Sequence, residues 1–200
     1  LKTKYSKKLE NNEKEDFEKN LKIIGKQIKQ IENLVNEFSD FARMPKPILK
    51  NNNLVNLINE NISLLKELDN KIQLNFNPHE KDIIFNCDSE QLSRVFLNLI
   101  KNSIESIDEK KQNNNNFVGK INIDLEDNIT YINFIIEDNG VGFGIFSDNI
   151  KNILNPYFTT KKKGTGLGLA IVNKIINDHN GTLKFESMIE GAKIKIIFTK

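Results

Sequence analysis

The sequence predicts an α+β protein in two parts: a long helix of a helical bundle within residues 1–47, then an α/β sandwich, a mixed sheet packed on helices, over residues 48–200. Three observations carry this. Apolar residues recur at alternating steps of three and four through the first part. Two prolines, Pro45 and Pro47, close that pattern. Beyond them helical and strand periodicities alternate to the C-terminus, as a sheet covered by helices requires.

Between Glu13 and Met44 no proline and a single glycine, Gly25, interrupts the helix; Phe17, Leu21, Ile24, Ile28, Ile31, Val35, Phe38 and Ala42 form one seam. With polar residues on the other faces, the seam needs a second helix to cover it, from this chain or another copy. A solitary helix packed on the second domain is the alternative. Leu1 to Leu9 read as the end of a preceding helix, with a break at Asn11 and Asn12. Met44-Pro45-Lys46-Pro47 stops the long helix, because proline lacks an amide donor and disfavours helix in the residue before it.

The second part opens with helical spacing over Leu54–Leu68. Ile72–Phe76 alternates as a half-buried strand, with Ile83–Phe85 as its expected partner. Asp88 with Gln91 three residues later is a capping-box-like start, Asp replacing Ser or Thr, for a helix to about Ile107. Lys110–Asn116 reads as a polar connection, and Lys120–Leu125 and Tyr131–Glu137 as strands. A long glycine-rich segment leads to a helix from about Gly166 to Asp178. Strands at Thr182–Glu186 and Lys193–Phe198 close the domain.

The 29 basic and 27 acidic residues leave a net charge of +2 and are scattered, which argues against the footprint of a nucleic-acid or membrane-surface binder. A single cysteine, Cys87, leaves no intrachain disulfide to form and fits a reducing, cytoplasmic compartment. It reads as a small buried apolar residue at a strand end. No apolar run is long enough to cross a bilayer, and no signal peptide is visible. The chain begins at Leu1 rather than Met, so it is expected to be part of something longer, whose inner-membrane anchor, if it has one, lies outside.

Four motifs carry chemistry. In Asn98-Leu99-Ile100-Lys101-Asn102 two asparagines stand four apart on one helix face. An amide oxygen suits Mg²⁺, which at ATP sites keeps waters and phosphate oxygens as its other ligands; exposed asparagines in an asparagine-rich chain are the plain alternative. In Asp138-Asn139-Gly140-Val141-Gly142 a carboxylate at a strand end can accept a hydrogen bond from an exocyclic amine such as that of adenine, and the glycines allow close backbone approach. A β-turn explains Asp138 to Gly140, but not Gly142. Asn155-Pro156-Tyr157-Phe158-Thr159-Thr160-Lys161 belongs to a polar stretch, Phe143 to Lys163, of the kind that makes a mobile lid. Lys161, Lys162 and Lys163 either reach phosphates or form a solvated run. In Gly164-Thr165-Gly166-Leu167-Gly168-Leu169, unobstructed backbone amides precede an apolar helix and make a natural phosphate site. It is not a P-loop, lacking Gly-Lys-Ser/Thr, and no strand precedes it as in a dinucleotide fingerprint. Their order and spacing together describe one ATP pocket, with phosphoryl transfer as the expected reaction.

The set resembles the catalytic and ATP-binding domain of two-component sensor histidine kinases, with an asparagine box, two glycine boxes and a phenylalanine box between them. The resemblance runs from about Asn51 to the C-terminus. The leading arm resembles the second helix of the dimerisation and phosphotransfer domain of the same kinases. Glu37-Phe38-Ser39-Asp40-Phe41-Ala42-Arg43-Met44-Pro45 looks like nitrogen-regulation sensors of the NtrY type.

That resemblance implies a Bergerat-type α/β sandwich at 48–200, with 1–47 the C-terminal part of the dimerisation and phosphotransfer hairpin. It implies a protein-histidine kinase using ATP and Mg²⁺. Asn102 would be the metal ligand, with Asn98 supporting the phosphates. Asp138 would bind the adenine amine, with Gly140 and Gly142 at the adenine end. Gly164, Gly166 and Gly168, with Thr165 and Leu167 between them, would hinge the lid and approach the phosphates. Phe158 and Thr160 would belong to the lid, Lys161 would touch a phosphate, and Gly191-Ala192 would be a last glycine motif. The implied partners are a response-regulator receiver domain and a second copy through the N-terminal helices, with no nucleic acid and no membrane contact by this segment.

Two departures stand out. Many members of that family carry a basic residue three positions after the second asparagine, where this chain has Glu105. The family's phosphoacceptor is a histidine followed by an acidic residue on the first bundle helix. His79 and His179 lack that context and read as surface or turn histidines, so the acceptor is expected upstream of Leu1. Two other readings stay open. ATPases of the gyrase, chaperone and mismatch-repair kind share the boxes, but carry a glutamate base where this chain has Asn98, which cannot take a proton from water. A non-catalytic nucleotide-binding dimer module is the other.

Overall fold

The computed structural model describes residues 11–66, 72–112, 116–143, 152–159, 161 and 164–200. The chain divides into two units, Leu1–Met44 and Pro45–Lys200. In the first, helix α1 spans Asn11–Ala42 and closes with the Arg43 amide donating to the Ser39 carbonyl at 3.0 Å. The expected seam forms one stripe, and Ile24, Ile28, Ile31, Val35 and Phe38 on it remain about half exposed. The expected preceding helix, Leu1 to Leu9, lies outside the described residues. No helix among those described is long and apolar enough to cross a membrane.

The second unit runs β1 (Lys50–Asn53), α2 (Leu54–Lys66), β2 (Gln73–Pro78), β3 (Ile84–Cys87), α3 (Ser89–Gln112), β4 (Lys120–Asp127), β5 (Tyr131–Asp138), α4 (Gly168–Asp178), β6 (Gly181–Ser187) and β7 (Ala192–Thr199). Five strands make one mixed sheet in the order β2-β4-β5-β7-β6. The β2–β4 pair is parallel and the others are antiparallel. Side chains alternate across a strand, so Ile121, Ile123 and Leu125, Ile132, Phe134 and Ile136, and Ile194, Ile196 and Phe198 line the buried face. Against them α3 lays Leu92, Val95, Phe96, Leu99, Ile100 and Ile107, and α4 lays Ile171, Val172, Ile175 and Ile176. Phe96 meets Phe134 with ring centroids 4.8 Å apart, and Phe85 meets Phe198 at 5.0 Å. The mixed sheet packed on helices is the predicted fold class.

The expected pairing of Ile83–Phe85 with Ile72–Phe76 is wrong. β3 pairs antiparallel with β1, matching Asn52 to Phe85, while β2 takes β4 as its neighbour over six residues. The Asn52 side chain adds a bond to the Cys87 carbonyl at 2.8 Å. An asparagine run has little strand propensity of its own, so β1 exists because β3 and its own side-chain bonds hold it. Helix α3 also outruns its expected end at Ile107. Lys110, assigned to a loop, sits in its last turn, donates to the Asn139 carbonyl at 2.9 Å and lies 4.7 Å from the Phe117 ring centroid.

Asp88 caps α3 as its sequence suggests, with Oδ1 accepting from the Gln91 amide at 3.1 Å. The reciprocal half of the capping box is replaced: the Asp88 amide donates to His179 Nε2 at 3.0 Å and the Gln91 side chain donates to the Pro45 carbonyl at 3.1 Å. Burial would raise the Asp88 carboxyl pKa, but the amides of Ile48, Gln91 and Glu90 outweigh it and hold the group below its usual value.

Cys87 is fully buried at the end of β3, and burial pushes its thiol up to about 11 from 9.0. A thiol pKa raised on folding means the native state holds its proton longer. Its contribution is therefore intact below pH 9 and lost as pH rises toward 11. At about 1.4 kcal/mol per pH unit, roughly 2–3 kcal/mol is at stake. Urea unfolding at pH 8 and pH 11 should show a larger fall for the wild type than for Cys87→Ala; equal falls would refute it.

Candidate functional site

Helix α3 is the spine of the site, because each of the other motifs touches it between Asn98 and Ser106. At one end, β5 delivers Asp138 into the sandwich, 8% exposed. Its Oδ1 accepts from the Gly140 amide at 2.9 Å, and it also accepts from the Ser103 side chain and the Ala192 amide. Burial raises the Asp138 carboxyl pKa above its usual value; these hydrogen bonds and the Lys110 charge pull against that without cancelling it. Gly140 lies flat on α3, where a Cβ would collide with Ser106 Oγ, and the Val141 amide donates to that oxygen at 3.0 Å. Gly142 backs onto the Gly191 carbonyl. Gly191 has φ of +80° and no room for a side chain against the Asp138 carbonyl, so glycine is required there on both counts.

Toward the N-terminus of α3 stand Asn98 and Asn102, on one face as their spacing dictates. Asn98 donates from Nδ2 to the Arg94 carbonyl at 2.9 Å, and its Oδ1 faces Gly168, where an added Cβ would come within 3.3 Å. Asn102 Oδ1 accepts from Lys161 Nζ at 3.3 Å. The same ammonium forms an ion pair with Glu105, one turn further along α3. Both partners are substantially exposed, so the pair itself stabilises the fold by only about 0–1 kcal/mol.

The phenylalanine and second glycine motifs are stitched together. The Tyr157 amide donates to the Gly166 carbonyl at 3.1 Å, and the Phe158 amide to the Asn155 carbonyl at 3.2 Å. Gly166 has φ of +71°, and a Cβ there would lie 2.5 Å from the Tyr157 carbonyl carbon. A Cβ at Gly164 would lie 2.5 Å from Thr159 Oγ1. Leu167 is fully buried and plugs the segment into the core; its amide donates to Thr165 Oγ1 at 3.4 Å. No side chain caps α4, so its first amides and the positive end of its dipole are available to an anion. Thr160, Lys162, Lys163 and 144–151 of the expected lid lie outside the described residues. Phe143, at the near end of that stretch, packs edge-on to Phe185 at 5.6 Å.

Sequence reasoning missed Ser103, Ser106 and Lys110 as supports of the Asp138 turn. Ser103 did carry a signal: it occupies a core position of α3 in line with Leu99, Ile100 and Ile107, where an apolar residue belongs. His179 sits in the turn that ends α4, as read, but it is not a surface residue. It is 4% exposed, with Nδ1 bonded to the Ile175 carbonyl at 2.8 Å and Nε2 accepting from Asp88. It joins the end of α4 to the start of α3. His79 is exposed, 3.8 Å from Glu126.

A family profile described as histidine kinase-, DNA gyrase B-, and HSP90-like ATPase matches residues 87–200. A Rickettsia prowazekii (strain Madrid E) protein under a provisional name, sensor histidine kinase NtrY-like, is 37% identical over 94% of this chain and 30% of its own length. The nitrogen regulation protein NtrY of Azorhizobium caulinodans is 32% identical over 90% of this chain and 23% of its own length. The chain thus spans less than a third of either relative. Among solved structures, the nucleotide-free catalytic domain of histidine kinase ThkA matches with a TM-score of 0.67 at 30% identity, covering 76% of this chain and 96% of that one. The same kinase in complex with the response regulator protein TrrA matches at 0.73 and 25% identity, covering 98% of this chain and 54% of that one.

Proposed function

Because the chain belongs to the family of histidine kinase-, DNA gyrase B- and HSP90-like ATPases, we propose that it is the ATP-binding catalytic part of a two-component sensor histidine kinase. The γ-phosphoryl of ATP goes to a histidine outside the chain, for relay to a response-regulator aspartate. The observation that carries this is the convergence on α3: Gly168 at Asn98, Lys161 at Asn102, and the Asp138–Gly140–Val141 turn at Ser103 and Ser106. Adenine at Asp138 and phosphates at the uncapped start of α4 then lie along one helix.

Asn98 favours kinase over hydrolase, since an amide cannot serve as base for an attacking water. Among the described residues no cluster of His, Cys, Asp or Glu could cage a metal. The Asn102 amide oxygen, a neutral hard donor, would hold Mg²⁺ arriving with the nucleotide. The metal supplies charge stabilisation to the moving phosphoryl group; the protein's own part is to hold ATP and exclude water.

The half-exposed seam of α1 supports residues 1–47 as the C-terminal part of a dimerisation and phosphotransfer hairpin, pairing with another hairpin helix and with a second copy. The receiver-domain partner is supported by the ThkA complex with TrrA. Phosphoryl transfer needs the acceptor held in line with the γ-phosphate, so the chain alone should form no stable phosphoprotein. Incubation with γ-labelled ATP and an added acceptor hairpin should give base-stable, acid-labile label on the hairpin. Steady phosphate release without an acceptor would instead identify an ATPase. Nucleotide binding with neither outcome would identify a non-catalytic module.

A further inference from the structure

We propose that Glu105 is a positioning residue: it parks the Lys161 ammonium over Asn102 until a nucleotide polyphosphate draws that ammonium away. The inference rests on the reading above that Asn102 faces the phosphates. Asn98, Asn102 and Glu105 follow one another along a single stripe of α3, and Lys161 Nζ bonds the last two together. The lysine is not a trailing surface residue. Its amide donates to Thr159 Oγ1 at 3.1 Å and its carbonyl accepts from the Gly164 amide at 3.1 Å, so the backbone beneath the ammonium is tied to the glycine segment.

Two consequences follow from charge. The ammonium uses the same Asn102 oxygen that a hard cation would use, so lysine and a nucleotide-borne metal compete for it. And a carboxylate one turn from Asn102 would repel a polyphosphate unless a cation neutralised it. Lys161 is that cation. Because both partners are partly exposed, their attraction is weak and screened, and a ligand with several negative charges can draw the ammonium off Asn102 while it still shields Glu105. A buried pair would hold too tightly to exchange.

The test is a charge swap in the 200-residue protein, read by calorimetry with Mg²⁺ and AMPPNP, a non-hydrolysed triphosphate, and separately with adenosine. Lys161→Glu should weaken AMPPNP binding by at least about tenfold, since two carboxylates then face the phosphates, and leave adenosine binding within about twofold. Adding Glu105→Lys should bring AMPPNP affinity back to within about threefold of wild type. A merely structural ion pair would move adenosine and AMPPNP together. Should the swap fail to fold, Glu105→Gln with Lys161→Gln should bind AMPPNP more tightly than Lys161→Gln alone. If the wild type binds AMPPNP and neither double variant recovers affinity, the role of Glu105 is refuted while the pocket stands. If the wild type binds neither ligand, the pocket itself is refuted, and the inference with it.

Discussion

Asp138→Asn should cost nucleotide affinity without costing the fold. The carboxylate is 8% exposed, and burial raises its pKa. The native state therefore holds that proton more tightly than the unfolded chain does. The stabilisation this represents is present below the ordinary value of 3.8 and is lost as pH rises through the raised value. At neutral pH the ionised group is a burden on stability. Asparagine removes that charge and keeps an oxygen for the Gly140 amide. Its NH2 gives up a bond to the Ser103 or Ala192 donor, a cost of about 1–3 kcal/mol that relief of the buried charge offsets, so thermal stability should stay close to wild type. Its amide nitrogen, however, would meet the adenine amine donor to donor. A hydrogen bond to a charged acceptor contributes about 1.5–3 kcal/mol, roughly 10- to 100-fold in affinity. Calorimetric titration with ATP beside a melting curve separates the two effects. Unchanged affinity would remove Asp138 from adenine recognition, and a matching loss of melting temperature would reduce it to a structural part. Such a trade, stability yielded at a site that needs a buried charge, is common where function sets the residue.

Asn102→Ala should separate binding from chemistry. The Asn102 side chain is half-buried on α3, outside the core, and accepts from the Lys161 ammonium, so its loss leaves the core untouched. ADP affinity should change by a few-fold at most, because adenine and the glycine segment remain. Phosphotransfer should fall by far more. Losing a residue that merely supports a metal ligand costs about 10- to 100-fold, and losing the ligand itself should cost no less. The measurement is ADP binding against the rate of label transfer to an added acceptor hairpin. Equal loss of both, or loss of neither, would contradict the assignment of Asn102 to the metal.

The two variants probe neighbouring positions of α3, Asp138 through Ser103 and Asn102 directly, and that geometry was only half legible beforehand. Asn98 and Asn102 share a face by helical arithmetic alone, and the strands of the main sheet announce themselves because one face is buried and the side-chain period is two. Local order of this kind follows from backbone sterics and from which side chains must leave water, and both are properties of short segments. Gly166 belongs with them in part. A glycine before an apolar helix suggested close approach, although the atom approached, in Tyr157, did not show.

What resisted prediction was the choice of partner. Ile83–Phe85 reads as a strand beside any edge with open hydrogen bonds; β1, an asparagine run with no strand signal, takes it only because the fold brings the two together. Lys161 and Glu105 lie 56 positions apart, and His179 and Asp88 lie 91 apart. A lysine run and a turn histidine look the same in sequence whether they are solvated or committed. From its sequence alone this protein declared its periodicities, its glycine-rich ligand loops and the residue types of an ATP pocket. Only the tertiary structure decided which strand pairs with β1, which oxygen the Lys161 ammonium holds and why His179 is buried, because hydrogen bonds and ion pairs across such distances depend on where the hydrophobic core brings the chain back upon itself.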